Sequence, residues 1–428
     1  MASLIPPQLQ ELVTYVRSRS PYYQLLYANL PKEITNFESL PLVDNTLYWK
    51  SSNSEPNGVL TEPLKDAVVM RSGGSTSEPK TVYMTREEFL ETSRINGELF
   101  GRCCGVRPGD RVANLSSQGG MYSGFMTYGY AVMNCSLPVV NLPISGKETP
   151  ENIERDISQF KATVIISNVF IATKLAHYLR NKQTQLSSVR LILYTGEPFY
   201  KDLRLLYKSA FPNATIRPLA YASVECKIVA FPEYELNHED EDGDINPVYR
   251  TCDRSVFLEI IAEDGSVIKV NGIRGNLVVT NLLKRLQPTV RYPIGDVGEW
   301  VNIQSGLFRL RGRSNVGLKI GTALLDKGLI RKLVIQVVGA GVADNFQIVI
   351  RRKDSCNIVL FRIAAQAPAG TDTIPQRLEE AIVNANPSWA INRDAGQIAP
   401  IEVEWVRFEQ LVFLEASGKL REVIDERF

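Results

Sequence analysis

Histidine is nearly absent from this chain: His177 and His238 are the two in 428 residues. Chemistry that depends on an imidazole base or a histidine-rich metal site is therefore poorly supplied. His177 falls in a helical stretch, Ile171–Arg180, and reads as a packed or surface residue. The six cysteines (Cys103, Cys104, Cys135, Cys226, Cys252 and Cys356) contain no C-x-x-C pair. In a chain of this size they read as reduced cytoplasmic thiols, not a disulfide framework. Cys226, His238 and Cys252 fit no strong zinc spacing, so zinc is not expected. Charge of one sign is not in excess either; a net charge of +1 creates no field that draws nucleic acid or an anionic membrane. No apolar run is long enough to span a bilayer. The opening Met-Ala-Ser-Leu-Ile-Pro-Pro lacks the basic-then-apolar order of a secretion signal. The acidic run His238–Asp244 is a solvated turn, since Ile245 and Thr251 stand where a calcium loop needs Gly and Glu. Internal repeats and low-complexity segments are also missing.

What remains is ordinary globular composition, 44% hydrophobic and 22% charged, in a length that suits one large domain plus a smaller one. Pro7 opens a helical pattern over 8–18, and Thr85-Arg-Glu-Glu88 is a capping-box signal for a helix through about 101. Strand patterns at Arg111–Leu115, Thr163–Ser167, Val189–Thr195 and Thr215–Leu219 alternate with helical ones at Pro150–Gln159, Phe170–Arg180 and Lys201–Ala210. Such alternation predicts βαβ units and a largely parallel sheet. From about 250 the pattern becomes antiparallel, with strands at Val256–Ala262, Asn276–Thr280, Gly298–Ile303 and Leu307–Leu310. Beyond 315 a small α+β domain is expected: a helix over Ala323–Val337, strands at Phe346–Arg351 and Ile358–Ile363, a helix over Pro375–Ala385 and a strand at Ile401–Val406. The expected fold class is α/β, with a large domain over 1–314 and a small mobile one over 315–428.

The chemistry-bearing feature is Arg-Ser-Gly-Gly-Ser-Thr-Ser-Glu-Pro-Lys at 71–80. Gly73 and Gly74 have no Cβ and let backbone N–H groups approach an anion. Ser72, Ser75, Thr76 and Ser77 add hydroxyl donors and Lys80 adds charge, so the run reads as a phosphate-holding loop, with a flexible surface loop as the alternative. Behind it come Tyr194-Thr-Gly-Glu197, Tyr221-Ala-Ser-Val-Glu225, Tyr292-Pro-Ile-Gly-Asp296, Gly312-Arg313-Ser-Asn315 and Ser417-Gly-Lys419. Each is weak alone; their joint order carries the weight. A P-loop kinase or ATPase is a poor match because G-x-x-x-x-G-K-[ST] is absent.

In this order the segments resemble the adenylate-forming superfamily of acyl-CoA synthetases, aryl-CoA ligases and adenylation domains, from about residue 20 to 424. Ser20-Pro-Tyr-Tyr23, Phe257-Leu-Glu-Ile260 and Gly275-Asn-Leu-Val-Val-Thr280 look most like its phenylacetate-CoA ligase branch. The resemblance implies that Ser72–Lys80 hold the β- and γ-phosphates of ATP. Tyr221, with Ala222 and Ser223, would lie at the adenine, bordered by Gly196 and Glu197. Glu225 would coordinate Mg²⁺, Asp296 the ribose hydroxyls, and Arg313 the ribose or phosphates. Lys419 would bridge the acid's carboxylate and the α-phosphate, and Asn315 would be the hinge. The implied activity is conversion of a carboxylic acid to its acyl-adenylate, then transfer to the CoA thiol. Three alternatives for the acceptor stay open: a carrier protein, a protein thiol or an amine. An inactive nucleotide-binding homologue is the rival of a different class.

Ser116–Tyr130 is rich in glycine and aromatics. It offers Tyr122, Phe125 and Tyr128 as walls of an acid pocket, or as ordinary core. Arg331-Lys332 and Arg351-Arg352-Lys353 read as solvated faces, or as contacts for CoA phosphates or an acidic carrier. Departures from the family pattern are Asn315 where Asp or Lys is usual, an early Gly321 with no proline after it, and Tyr-Ala-Ser-Val-Glu where Gly and Thr are commoner. Partners are confined to the acid, ATP, and CoA or a carrier, with a monomer or a dimer left open.

Overall fold

The computed structural model describes residues 6–72, 80–196, 199–200, 203–233, 247–313, 317–320, 323–339, 346–365, 367, 371–412 and 420–427. The chain divides into two compact units between Gly312 and Arg313.

The larger unit holds a five-stranded parallel sheet in the order Val140–Leu142, Arg111–Asn114, Val164–Asn168, Leu191–Thr195, Thr215–Pro218. Its inner strands are buried along nearly their whole length, as in Val164, Ile165 and Ile166, because helices cover the faces of a parallel sheet. Local signals set those helices. Thr149 caps Pro150–Phe160, with Pro150 in the first turn, and Asn168 caps Val169–Lys182. Thr85 and Glu88 form the full capping box of Arg86–Cys103. One helix, Ser123–Met133, has no such signal and contains Gly124 and Gly129. It packs on Arg86–Cys103 at close range: a Cβ at Gly97 would come within 2.4 Å of the Asn134 carbonyl.

A seven-stranded antiparallel sheet follows, in the order Val256–Ile261, Arg274–Asn281, Tyr292–Asn302, Leu307–Arg313, Val248–Thr251, Lys227–Pro232, Tyr221–Ser223. The strand expected from Gly298 begins at Tyr292, so Tyr292–Asp296 belongs to it. Glycine serves turns there, among them Gly265 at φ 87° and Gly306 at φ 63°. A separate hairpin pairs Ala67–Arg71 with Thr81–Thr85.

The smaller unit has a four-stranded sheet ordered Glu402–Trp405, Cys356–Ile363, Phe346–Lys353, Val423–Asp425, with helices Lys327–Val338, Ile374–Ala385 and Pro387–Asp394. Fully buried Trp389 sits in its core. The single helix expected over Ala323–Val337 is corrected. Ala323–Asp326 is a strand paired with Gly317–Ile320, and the helix starts at Lys327. Ala323 and Leu325 are both buried, a spacing of two that belongs to a strand. Among the described residues no helix is long and apolar enough to cross a membrane.

Candidate active site

The hairpin Ala67–Arg71/Thr81–Thr85 is closed at the base of the Gly/Ser loop. The Ser72 N–H donates to the Lys80 carbonyl at 2.9 Å, and the Lys80 N–H donates to Ser72 Oγ at 3.0 Å. Neighbouring segments fix this base in place. The Arg71 N–H donates to Met121 O at 2.7 Å, just before the helix Ser123–Met133. Gln287 accepts from the Tyr83 N–H at 3.0 Å and donates to Ser52 Oγ at 2.9 Å. The loop residues Gly73, Gly74, Ser75, Thr76 and Ser77 lie outside the described residues.

Glu225 occupies the turn between Tyr221–Ser223 and Lys227–Pro232. Lys284 Nζ donates to the Glu225 carbonyl at 2.8 Å, and Asn281 Nδ2 to the Cys226 carbonyl at 3.0 Å. Asn281 in turn accepts from the N–H groups of Leu283 and Lys284, both at 2.9 Å. The Glu225 side chain meets Lys80 Nζ at 2.5 Å, and the Tyr292 hydroxyl donates to the same oxygen, Oε1, at 3.4 Å. Burial pushes the Glu225 carboxyl up, but the adjacent Lys80 ammonium outweighs it and brings the group down to about 2. A carboxylate held ionised is a hard oxygen donor, and Mg²⁺ sites commonly use one or two such groups beside the phosphates. The carboxylate's chemistry suits Mg²⁺, with Lys80 Nζ standing on its Oε1 in this structure.

Burial brings Lys227 and Lys284 down to about 7 and about 8, and the positive charge of Lys284 adds to the push on Lys227. Lys227 Nζ lies 3.1 Å from Met70 Sδ, behind the hairpin.

Tyr221 is buried, and its hydroxyl donates to Asp296 Oδ2 at 2.6 Å. Ala222 and Ser223 follow it, half-buried, in the same short strand. Asp296 comes just after Gly295, whose φ of 90° turns the strand locally. The strand Tyr292–Asn302 thus presents Tyr292 to Lys80 and Glu225, and Asp296 to Tyr221. Gly196, at φ 80°, ends Leu191–Thr195, where Thr195 Oγ1 bonds the Tyr128 hydroxyl at 2.9 Å. Of the acid-pocket candidates Tyr128 is buried, Phe125 half-buried and Tyr122 exposed. Arg313 ends Leu307–Arg313. Glu197, Asn315, Gly321, His238 and Lys419 lie outside the described residues. Burial pushes the Cys226 and Cys252 thiols up to about 12 and about 11.

Three contributors escape motif reasoning, Trp49, Lys284 and Asn281, and Tyr292, though part of a quoted motif, had no role read from it. Trp49 Nε1 donates to Tyr292 OH at 2.9 Å, across 243 positions of sequence. A lysine directly after Leu282 and Leu283 is the one local signal, for Lys284.

The model of the AMP-binding enzyme family matches residues 22–280. Phenylacetate-coenzyme A ligase of Thermus thermophilus is 23% identical over 410 residues, 90% of this chain and 86% of that protein. The phenylacetate-coenzyme A ligase of Pseudomonas putida is 23% identical over 285 residues, 65% of this chain and 61% of that one. Among solved structures the fold is similar to that of 2-hydroxyisobutyryl-CoA ligase in complex with 2-HIB-AMP and CoA. The TM-score is 0.71 at 18% identity, covering 98% of this chain and 89% of the other. An amide bond synthetase from Marinactinospora thermotolerans is similar at TM-score 0.51 and 16% identity, over 84% and 70% of the two chains. At these identities the structural likeness is one of fold.

Proposed function

We propose a reaction from one premise: the chain belongs to the AMP-binding enzyme family. It is an acid–thiol ligase that works through an acyl-adenylate. A carboxylate oxygen of the acid attacks the α-phosphorus of ATP. The new O–P bond forms as the bond to the bridging oxygen breaks, and pyrophosphate leaves. The CoA sulfur, as thiolate, then attacks the acyl carbon, and AMP leaves with the electron pair.

The attack brings two anions together, so catalysis consists of placing positive charge and fixing orientation. Ser72 through Ser77 and Lys80 hold the leaving phosphates. Tyr221, Ala222, Ser223, Gly196 and Glu197 surround the adenine. Asp296, already fixed by Tyr221, accepts from the ribose hydroxyls, and Arg313 meets the ribose or phosphates. Lys419 bridges the carboxylate and the α-phosphate, and Asn315 is the hinge on which the unit that carries it turns. Mg²⁺ bound at Glu225 would neutralise phosphate charge. The acid is aromatic or of similar size, with Phe125 and Tyr128 as pocket walls. The enzyme is cytoplasmic, in keeping with six free cysteines.

The observation that carries this reading is the convergence on one strand, Tyr292–Asn302, of Lys80 from the Gly/Ser loop and of Tyr221 and Glu225 from a motif about 145 positions later. The experiment is pyrophosphate release with ATP and Mg²⁺ across aryl, fatty and amino acids, with and without CoA. Release is expected to depend on one acid class and to fall at least ~100-fold in Lys419→Ala. An acyl-CoA mass on adding CoA is the expected product. Release indifferent to CoA would move the acceptor to a carrier protein, a protein thiol or an amine. No release with any acid, alongside tight ATP binding, would overturn the reading in favour of a nucleotide-binding protein.

A further inference from the structure

The ammonium of Lys80 lies between three groups from three separate segments. Glu225 Oε1 is 2.5 Å away, the Tyr292 hydroxyl 3.4 Å, and the Trp49 ring centroid 5.3 Å. Trp49 also bonds the Tyr292 hydroxyl through Nε1 at 2.9 Å. The tyrosine oxygen therefore accepts from Trp49 and from Lys80, and its own proton points to Glu225 Oε1. Trp49 sits on the helix Asn45–Ser52, so its ring comes from outside the motifs that supply the other members. A ring face attracts an ammonium, and the hydroxyl adds a directed bond. The Lys80 side chain is still 35% exposed, so its other side is open.

This arrangement conflicts with a divalent cation on the same carboxylate. Mg²⁺ bonds an oxygen at about 2.0–2.1 Å, and an ammonium already at bonding distance from Oε1 repels it. One of the two must yield. The triphosphate supplies what draws the ammonium away, since it is the stronger anion and Lys80 ends the loop read as its cradle.

We propose that Lys80 is the counter-ion that a divalent cation must displace from Glu225, that Trp49 and Tyr292 are the positioning residues that hold it there, and that displacement requires the nucleotide's phosphates to arrive with the cation. The inference rests on the adenylation reading in that last step alone.

The test uses the full chain and two readouts besides activity: the thermal midpoint and tryptophan emission. Each is taken with MgCl₂ alone, ATP with EDTA, and the two together. The wild-type midpoint is expected to ignore MgCl₂ alone and to rise with the pair. In Lys80→Met the midpoint should rise with MgCl₂ alone. Tyr292→Phe, which loses one of the bonds that hold Lys80, should show a rise of the midpoint with MgCl₂ alone that wild type lacks, smaller than that of Lys80→Met, in keeping with the worth of one modest hydrogen bond. Wild-type emission should change with the pair, and Trp49→Phe should lose that change. Equal responses of wild type and Lys80→Met to MgCl₂ alone would overturn the proposal, as would a Tyr292→Phe response equal to wild type's. If Lys80→Met fails to fold, the Tyr292→Phe comparison decides alone. Acid-dependent pyrophosphate release, measured on the same wild-type preparation, separates the two readings. Release without the exchange signals sinks this inference only, and the signals without release sink adenylation only.

Discussion

Two glutamates sit in ion pairs in the same antiparallel region, and they are built differently. Glu259 is sealed: its side chain and that of Arg291 are each 3% exposed. Two parallel bonds join them, at 3.0 and 2.9 Å. The same guanidinium donates to the carbonyls of Glu38, at 2.8 Å, and Leu40. Glu225 is paired with a lysine whose side chain is 35% exposed and whose further polar contact, to Tyr292, is long at 3.4 Å. A forked guanidinium anchored by carbonyls has no other position to go to. An ammonium on a flexible stem, open on one side, does. The first pair joins Leu40 and its neighbours to the sheet; the second is suited to change partners.

Breaking the sealed pair should have the largest effect. Arg291→Leu leaves Glu259 buried without its counter-ion and is expected to lower unfolding stability by about 3–5 kcal/mol in urea. The double variant Glu259→Leu/Arg291→Leu should recover much of that loss. No recovery would mean that the carbonyl contacts, not the charge, were the point.

An intermediate case lies at the other end of the parallel sheet. Asp110 is buried and accepts from Arg190 Nε at 3.0 Å, the Arg107 N–H at 2.6 Å and Thr163 Oγ1 at 2.8 Å. Burial pushes its carboxyl up, but these donors win and hold it below the usual carboxylate range. A depressed carboxyl contributes stability that is present above its unfolded pKa and is lost as pH falls through the folded one. Asp110→Asn should therefore cost about 2 kcal/mol at pH 7, with the gap from wild type closing as pH drops below about 4. A gap constant with pH would show that the loss is packing and not charge.

The smallest stability effect belongs to the exchangeable pair. Lys80→Met should cost about 1–2 kcal/mol, less than Arg291→Leu, because the Lys80 side chain is 35% exposed and its loss opens the 9%-exposed Glu225 side chain to water. Pyrophosphate release should nonetheless drop. A stability loss as large as that of Arg291→Leu would erase the distinction between the two pairs.

Much of this was legible locally. The Thr85–Glu88 capping box, the proline at the start of Pro150–Phe160 and the apolar run at Val164–Ile166 act over a few residues, so the sequence alone reveals them. Helix Ser123–Met133 was not legible: Gly124 and Gly129 lower its propensity, and packing against Arg86–Cys103 overrides them. The strand Ala323–Asp326 was read as helix because its partner, Gly317–Ile320, defines it, not its own residues. The order of the Gly/Ser loop, Tyr221–Glu225, Tyr292–Asp296 and Ser417–Lys419 segments was readable for the same reason as the caps: each is a short run with its own chemistry.

The sequence by itself therefore determined the α/β class, the antiparallel region after 250 and the identity of Lys80, Glu225, Tyr221 and Asp296 as site candidates. Only the tertiary structure decided that Lys80 sits on Glu225, that Tyr292 and Trp49 frame it, and that Lys284 and Asn281 hold the backbone of the Glu225 turn. The physical reason is range. Capping, periodicity and glycine geometry act over one turn or one strand, whereas a hydrogen bond between Trp49 and Tyr292 exists only after a helix has packed on a sheet.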